Sequence, residues 1–318
     1  MKISLVTPSG KQSRAGNRAT AERWAQILRR LGHRVDISEE DNGGDADMMV
    51  AVHAWRSAAS IRKFSDLYHY RPLVVLLAGT DIYRFQHTHP HETLDSMKRA
   101  TELICLHDLV HRAIPKEYHN KLRLIRQSSL PLSSPYRPSK RWFEVVVAGH
   151  LRAEKDPLRA AYAARQMPAD SRLRIVHLGK AHNRSWARDA RAEGQSNSRY
   201  TWRGEVQGWQ VRRQFARSHV MVISSVIEGG ANILSEALVC GVPVLASRID
   251  GNVGILGDDY PGYYPAEDEF ALAKLLIRAE TEPEFLKDLS GRCRKLAALY
   301  TPAKEKEAWR NLLRDLGV

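Results

Sequence analysis

The sequence predicts an α/β chain built from two doubly wound domains facing a cleft. Three observations point there. Short, continuous apolar runs alternate with longer stretches of helical periodicity, as expected of strands buried on both faces of a parallel sheet. The rhythm breaks at a proline- and serine-rich segment over 131–138 and then restarts. The length, 318 residues, corresponds to about two domains at roughly 150 residues each. The expected organisation is one domain over 1–135, a second over 136–300, and a helix over 301–318 that packs back toward the first.

The first half opens on a strand at 3–7. Ala21, Trp24, Ala25, Leu28 and Leu31 then recur at helical spacing until Gly32, a natural residue to follow a helix end. Further strands are expected at 35–37, 48–52, 73–78, 103–106 and 122–125, with helices over 57–69 and 93–99. After the linker come a strand at 143–148, a helix over 157–166 and a strand at 173–178. The arginine-rich stretch from Arg184 to Arg217 reads as solvated helix and loop, including a helix over 211–217. A strand at 220–224, a helix over 231–239 and a strand at 242–246 follow, and the tail from Glu269 is helical with breaks at Pro283 and Pro302.

Composition narrows the function. With 43% hydrophobic and 27% charged residues the chain is not a disordered one. Lys and Arg number 49 against 36 Asp and Glu, a net charge of +13 that favours an anionic partner. The aromatics are scattered and no RRM or zinc-finger pattern occurs, so nucleic acid is not expected as that partner. No apolar run approaches the ~18 residues of a membrane span, and MKISLVTPSG is too short in apolar length for a secretory core. No membrane partner is expected, and a cytoplasmic enzyme is. Cys105, Cys240 and Cys293 are odd in number and dispersed, which fits small buried thiols rather than disulfides or a zinc site. Asp45 and Asp47 precede a strand, at the wrong end of the sheet for a metal site.

Ligands of open parallel sheets sit beyond the carboxyl ends of the strands. Directly after the strand at 220–224 stands Glu228-Gly229-Gly230-Ala231-Asn232-Ile233-Leu234-Ser235-Glu236. Two glycines before a helix let main chain approach a ligand, and the helix start offers free N–H groups to a diphosphate. The same residues would also suit a capped surface helix. After the strand at 143–148, Arg152 and Lys155 stand three apart at a strand–helix junction, where both can converge on one phosphate. Between the first strand and helix lies a basic loop with Lys11, Arg14, Gly16, Asn17 and Arg18; it lacks the Walker and GxGxxG spacings but remains a candidate anion site or a plain flexible loop. His53, Thr80 and Asp81 each follow a strand of the first half.

With these residues in view the chain resembles the GT-B glycosyltransferases of the E-x7-E group, which include sucrose-phosphate and mannosyl transferases: two Rossmann-like domains facing a cleft. Glu228 and Glu236 match that motif, Arg152 and Lys155 its diphosphate clamp, and Gly241-Val242-Pro243-Val244 follows as expected. A narrower resemblance is to the selenosugar synthases of selenoneine biosynthesis. It rests on Ser13 to Thr20 (SRAGNRAT), Ala78 to Tyr83 (AGTDIY), Gly149 to Pro157 (GHLRAEKDP), Glu228 to Asn232, Gly251 to Gly254 (GNVG) and Gly257 to Gly262 (GDDYPG).

That resemblance implies a UDP-sugar donor, typically UDP-N-acetylglucosamine, and selenophosphate as acceptor, giving a 1-seleno sugar with release of UDP and phosphate. It assigns Glu228 with Arg152 and Lys155 to catalysis. Gly229, Gly230, Ala231, Asn232, Glu236 and Val206 fall to the donor, Val206 as main chain beside the uracil. Lys11, Arg14, Gly16, Asn17, Arg18, His53, Thr80 and Asp81 fall to the acceptor. Leaving-group stabilisation by these cations requires no metal or other cofactor. An O-glycosyltransferase would share every donor residue, and a UDP-sugar epimerase would act without an acceptor.

Overall fold

The computed structural model describes residues 1–13, 16–133 and 136–318. By its contacts the chain forms two units. Unit 1 comprises Met1–Gln127, Glu228–Ala231 and Pro302–Val318, and unit 2 comprises Ser128–Ile227 and Asn232–Thr301. The division falls earlier than the border read from composition. Segment 128–133 is already tied to unit 2: Ser129 N–H donates to the Tyr300 carbonyl at 2.9 Å, and Arg212 donates to the carbonyls of Leu130 and Pro131.

In unit 1 the elements run β1 (Lys2–Val6), α1 (Gly16–Arg30), β2 (Arg34–Ser38), β3 (Met48–Val52), α2 (Ala58–Leu67), β4 (Leu73–Leu76), a π-helical turn (Asp81–Phe85), α3 (Gln86–Thr88), α4 (Pro90–Arg99), β5 (Glu102–Cys105) and β6 (Leu122–Leu124). Its sheet has the order β2-β1-β3-β4-β5-β6, parallel throughout. Every residue of β3, β4 and β5 is buried, so the continuous apolar runs do mark strands covered on both faces. One face packs on Trp24, Ala25 and Leu28 of α1; the other packs on Ile61 and Phe64 of α2 and Met97 of α4. Gly32, at φ 96°, closes α1, with His33 N–H reaching back to the Leu28 carbonyl at 3.2 Å.

Unit 2 runs β7 (Phe143–Ala148), a 3₁₀ turn (Ala153–Lys155), α5 (Arg159–Ala164), β8 (Leu173–Leu178), α6 (Arg184–Ser196), β9 (Tyr200–Trp202), α7 (Gly208–Phe215), β10 (Val220–Ile223), α8 (Asn232–Val239), β11 (Val244–Ser247), α9 (Asp250–Leu256), β12 (Tyr263–Tyr264), α10 (Glu269–Thr281) and α11 (Pro283–Ala297). The sheet order is β12-β11-β10-β7-β8-β9, again all parallel. The helix expected over 157–166 is shorter than its apolar pattern, because Asp156 takes a left-handed conformation (φ 41°) ahead of Pro157 and splits off the 3₁₀ turn. Pro283 begins α11 at a position where its missing N–H costs nothing.

The final helix, α12 (Pro302–Asp315), belongs to unit 1. Trp309 meets Trp24 edge-on with centroids 4.9 Å apart. Glu305, 1% exposed, accepts from Trp24 Nε1 at 2.8 Å and from Arg23 Nε at 3.1 Å. All three cysteines are buried free thiols. Among the described residues no helix is long and apolar enough to cross a membrane.

Removing the Glu305 carboxylate strands a buried indole donor and part of a guanidinium. Glu305→Ala should lower unfolding free energy by about 2 kcal/mol, and Glu305→Gln, which keeps an acceptor oxygen, by less. Denaturant midpoints at constant slope would measure both.

Candidate active site

In unit 2, β7 leads on to β8 on one side of the sheet and β10 to β11 on the other, while β7 and β10 are neighbours. That is a topological switch point, where diverging connections leave a crevice at the strand ends. Val147, Gly149, Lys155, Ser224, Ser225 and Ile233 line it. A Cβ on Gly179 would collide with the Gly149 carbonyl oxygen, so the loop leaving β7 depends on glycine at the end of β8.

Arg152 and Lys155 sit on the turn after β7, with Lys155 N–H donating to the Arg152 carbonyl at 3.0 Å. The loop after β10 is bonded to this turn. Ser224 Oγ lies 2.8 Å from the Asp156 carbonyl and 3.1 Å from that of Lys155, and Val226 N–H donates to the Glu154 carbonyl at 2.9 Å. Behind the loop, Asn252 donates to Ser247, whose hydroxyl donates to the Ser225 carbonyl at 2.5 Å. Two segments far apart in sequence thus present one rigid surface. On it the Arg152 side chain is 41% exposed overall, yet its Nε is buried with no hydrogen-bond partner among the described residues. The nearest carboxylate oxygen, on Glu154, is 3.9 Å away. A buried charged donor left unmatched is costly, and an anionic ligand oxygen would satisfy it.

Asn232 opens α8 and Glu236 is half-buried on its second turn. Val206, half-buried, lies between β9 and α7, in the loop whose Gly204 carbonyl accepts from Gly179 N–H at 2.8 Å. Glu228, Gly229, Gly230 and Ala231 group with unit 1, and Glu228 is buried. The two glycines have a packing reason: a Cβ on Gly229 would collide with main chain at Ala78–Gly79, and one on Gly230 with the Leu106 side chain. Approach to a ligand is not what demands them.

In unit 1 the sequence-derived residues differ in exposure and in their partners. His53 and Thr80 come together at the ends of β3 and β4, with His53 Nε2 2.9 Å from Thr80 Oγ1. Asp81 corrects the sequence reading. Its fully buried carboxylate accepts from the N–H groups of Ala54, Ala78, Gly79 and Ile82 at 2.8–3.1 Å, so it orders the loop and has no lone pair left for an acceptor. Arg18 is buried as well and donates to Glu22 at 2.7 Å, which neutralises the charge expected to meet a ligand. Lys11 is exposed, Gly16 and Asn17 start α1, and Arg14 lies outside the described residues. Sequence reasoning missed Ser224, Arg56 and the stacked pair Trp55–Phe85 (centroids 3.8 Å apart); for Ser224 its place directly after a strand was the available signal. Among the described residues no group of three or more His, Cys, Asp or Glu is placed to hold a metal.

Residues 135–296, just over half of the chain, match the family of glycosyl transferases group 1. The chain belongs to that family. No curated protein matches it in sequence. Among solved structures it is similar to Anabaena HepE in complex with UDP and glucose (TM-score 0.79, 14% identity, 99% of this chain and 100% of that one). It is similar also to sucrose-phosphate synthase from Thermosynechococcus elongatus (TM-score 0.79, 16% identity, 99% and 98%). A glycosyltransferase from Rickettsia africae aligns at TM-score 0.77 and 11% identity over 99% and 98%. The fold of this group 1 glycosyltransferase is therefore the α/β GT-B class.

One histidine beside the crevice gives a pH signature. His177 on β8 is 1% exposed with Nδ1 2.9 Å from the Tyr200 hydroxyl, and burial pushes it down to about 4. Unfolded, it would bind its proton near 6.5, so between these values the unfolded chain holds more protons than the folded one. Stability from this group is complete above pH 6.5 and falls as pH drops toward 4, by at most about 1.4 kcal/mol per unit. Burial also lowers His33, His53 and His219, which act with the same sign. Denaturant midpoints from pH 7 to 4 should show the decline, and His177→Gln should flatten it.

Proposed function

We propose that this group 1 glycosyltransferase is a selenosugar synthase. It transfers N-acetylglucosamine from UDP-N-acetylglucosamine to the selenium of selenophosphate, with the second half of the chain (136–300) taking the donor and the first half (1–135) the acceptor. The observation that carries the donor half is the Arg152–Lys155 turn locked to the β10 loop at the switch point, with a buried Arg152 Nε that lacks an acceptor. The HepE structures, complexes with UDP, with UDP and glucose and with UDP-glucose, support a nucleotide-sugar donor on this fold. The acceptor half rests on the sequence phrases shared with the selenosugar synthases.

In this reading Arg152 and Lys155 neutralise the negative charge that builds on UDP as the anomeric carbon–oxygen bond breaks. Main-chain groups of Gly229, Gly230, Ala231 and Asn232 line the diphosphate, and Val206 backs the uracil. Glu236 holds the ribose hydroxyls and Glu228 the sugar. The selenium lone pair forms the new carbon–selenium bond, and no strong base is needed because the nucleophile is already anionic. Water then takes the phosphoryl group at phosphorus, breaking the selenium–phosphorus bond and releasing phosphate and the seleno sugar. Charge stabilisation by side chains alone makes the reaction independent of metal or other cofactor.

A second reading, transfer to a hydroxyl of a saccharide, is favoured by the half-buried Trp55–Phe85 stack, a flat apolar surface in unit 1.

Purified protein with UDP-N-acetylglucosamine and selenophosphate should yield a hexosamine bearing the selenium isotope pattern by mass spectrometry. Product with a simple saccharide and none with selenophosphate would overturn the assignment in favour of the second reading. Arg152→Ala and Lys155→Ala should each cut turnover by at least 100-fold with unchanged circular dichroism, the scale of losing one charge-stabilising donor. EDTA should leave the wild-type rate unaltered.

A further inference from the structure

Of the residues gathered at the ends of β3 and β4, His53 is 1% exposed whereas Thr80 is half-buried and reachable. The His53 ring is fixed from several sides. Arg56 N–H donates to Nδ1 at 3.2 Å, and the ring lies 5.8 Å from Phe85 and 6.4 Å from Trp55 by centroids. Its main chain is held too, by bonds to Leu76 and Ser57, at φ 81°. A non-glycine residue kept in that region marks a conformation imposed by its surroundings.

These contacts set a direction. A nitrogen that accepts an N–H carries no proton of its own, so the neutral ring bears its hydrogen on Nε2. That hydrogen points to Thr80 Oγ1, 2.9 Å away. The hydroxyl has one hydrogen to give, and no acceptor for it is found among the described residues. Burial and the nearby Arg56 charge both oppose protonation of His53; Asp81, whose Oδ2 is 3.8 Å from Nδ1, favours it but is itself engaged by four N–H groups. Arg56 is exposed and sits on the same loop, its main-chain N–H bonded to the His53 ring.

The geometry points to Thr80 as the acceptor-contacting group of unit 1: its hydroxyl, turned outward by His53, donates to a phosphate-type oxygen whose charge Arg56 balances. His53 is then a positioning residue, sealed from the ligand. The inference rests on the reading of unit 1 as the acceptor unit and names the atoms that recognise the anion. A hydroxyl hydrogen still to be given suits an oxygen without a proton, and a guanidinium favours a dianion over a neutral alcohol.

The test titrates inorganic phosphate into UDP-saturated protein by calorimetry, so that the Arg152–Lys155 turn is already occupied. Thr80→Val, which keeps the shape and removes the hydroxyl, should weaken phosphate binding about tenfold, and Thr80→Ser should restore it to within about twofold. His53→Asn, a residue that tolerates positive φ, should weaken it in the same direction with the UDP affinity unchanged. Arg56→Gln should weaken it and reduce its dependence on salt. Wild-type protein that binds no phosphate, or a folded Thr80→Val protein that binds it as tightly as wild type, would overturn the inference. Failure to form a seleno sugar would instead count against the proposed reaction and leave the phosphate titration to decide the site.

Discussion

The candidate donor site depends on a hydroxyl bridging two loops. Ser224 lies 68 and 69 positions from the residues whose carbonyls it meets, so the contact closes only when the parallel sheet has brought β10 beside β7. Once closed, it fixes where the Arg152–Lys155 turn stands, because the left-handed Asp156 gives that turn a single way out into α5. Asp156 is pinned from the far side as well, through Arg159, which also binds Glu269 at the start of α10. Under the proposed reaction such bracing would spare the two cations from reorganising as charge builds.

Unit 1 achieves the same end with a carboxylate. Asp81 gathers four N–H groups from two strand ends and the start of the π-helical turn, which sets Thr80 at the lip of the loop and His53 beneath it. Both units therefore rest a partly exposed polar group on a buried one. Asn252, Ser247 and Ser225, all buried, brace the loop after β10 from behind.

Much of this was legible in the sequence, and the failures have physical causes. Strands such as β3 and β4 announced themselves because every residue is apolar and buried. The candidate residues at the strand ends were placed for the same reason: locating a strand locates the residue that follows it. Burial and pairing were not. The Ala54 N–H that Asp81 receives depends on tertiary placement, and Arg18–Glu22 is an i,i+4 pair that helix geometry permits but whose rotamers the sequence leaves open. The short elements β9 and β12 offer three and two residues, too few for periodicity to register. Gly229 and Gly230 have a packing reason the sequence does not disclose, because a requirement for close approach looks the same in sequence whether the neighbour is a ligand or protein.

The net charge of +13 is similarly uninformative until partners are counted. Several arginines are engaged by carboxylates: Arg18 with Glu22, Arg99 with Asp95 and Asp66, Arg123 with Glu102, Arg159 with Asp156 and Glu269. Folding alone accounts for those pairs. Arg152 differs, since folding takes its Nε out of water and, among the described residues, supplies no hydrogen-bond acceptor in exchange. Selection for stability would replace such a residue or give it a carboxylate at hydrogen-bond distance; Glu154 stops at 3.9 Å. An unmet donor on a braced turn at a switch point is what a site built for a transient anion should contain, and there the missing partner says more than the charge.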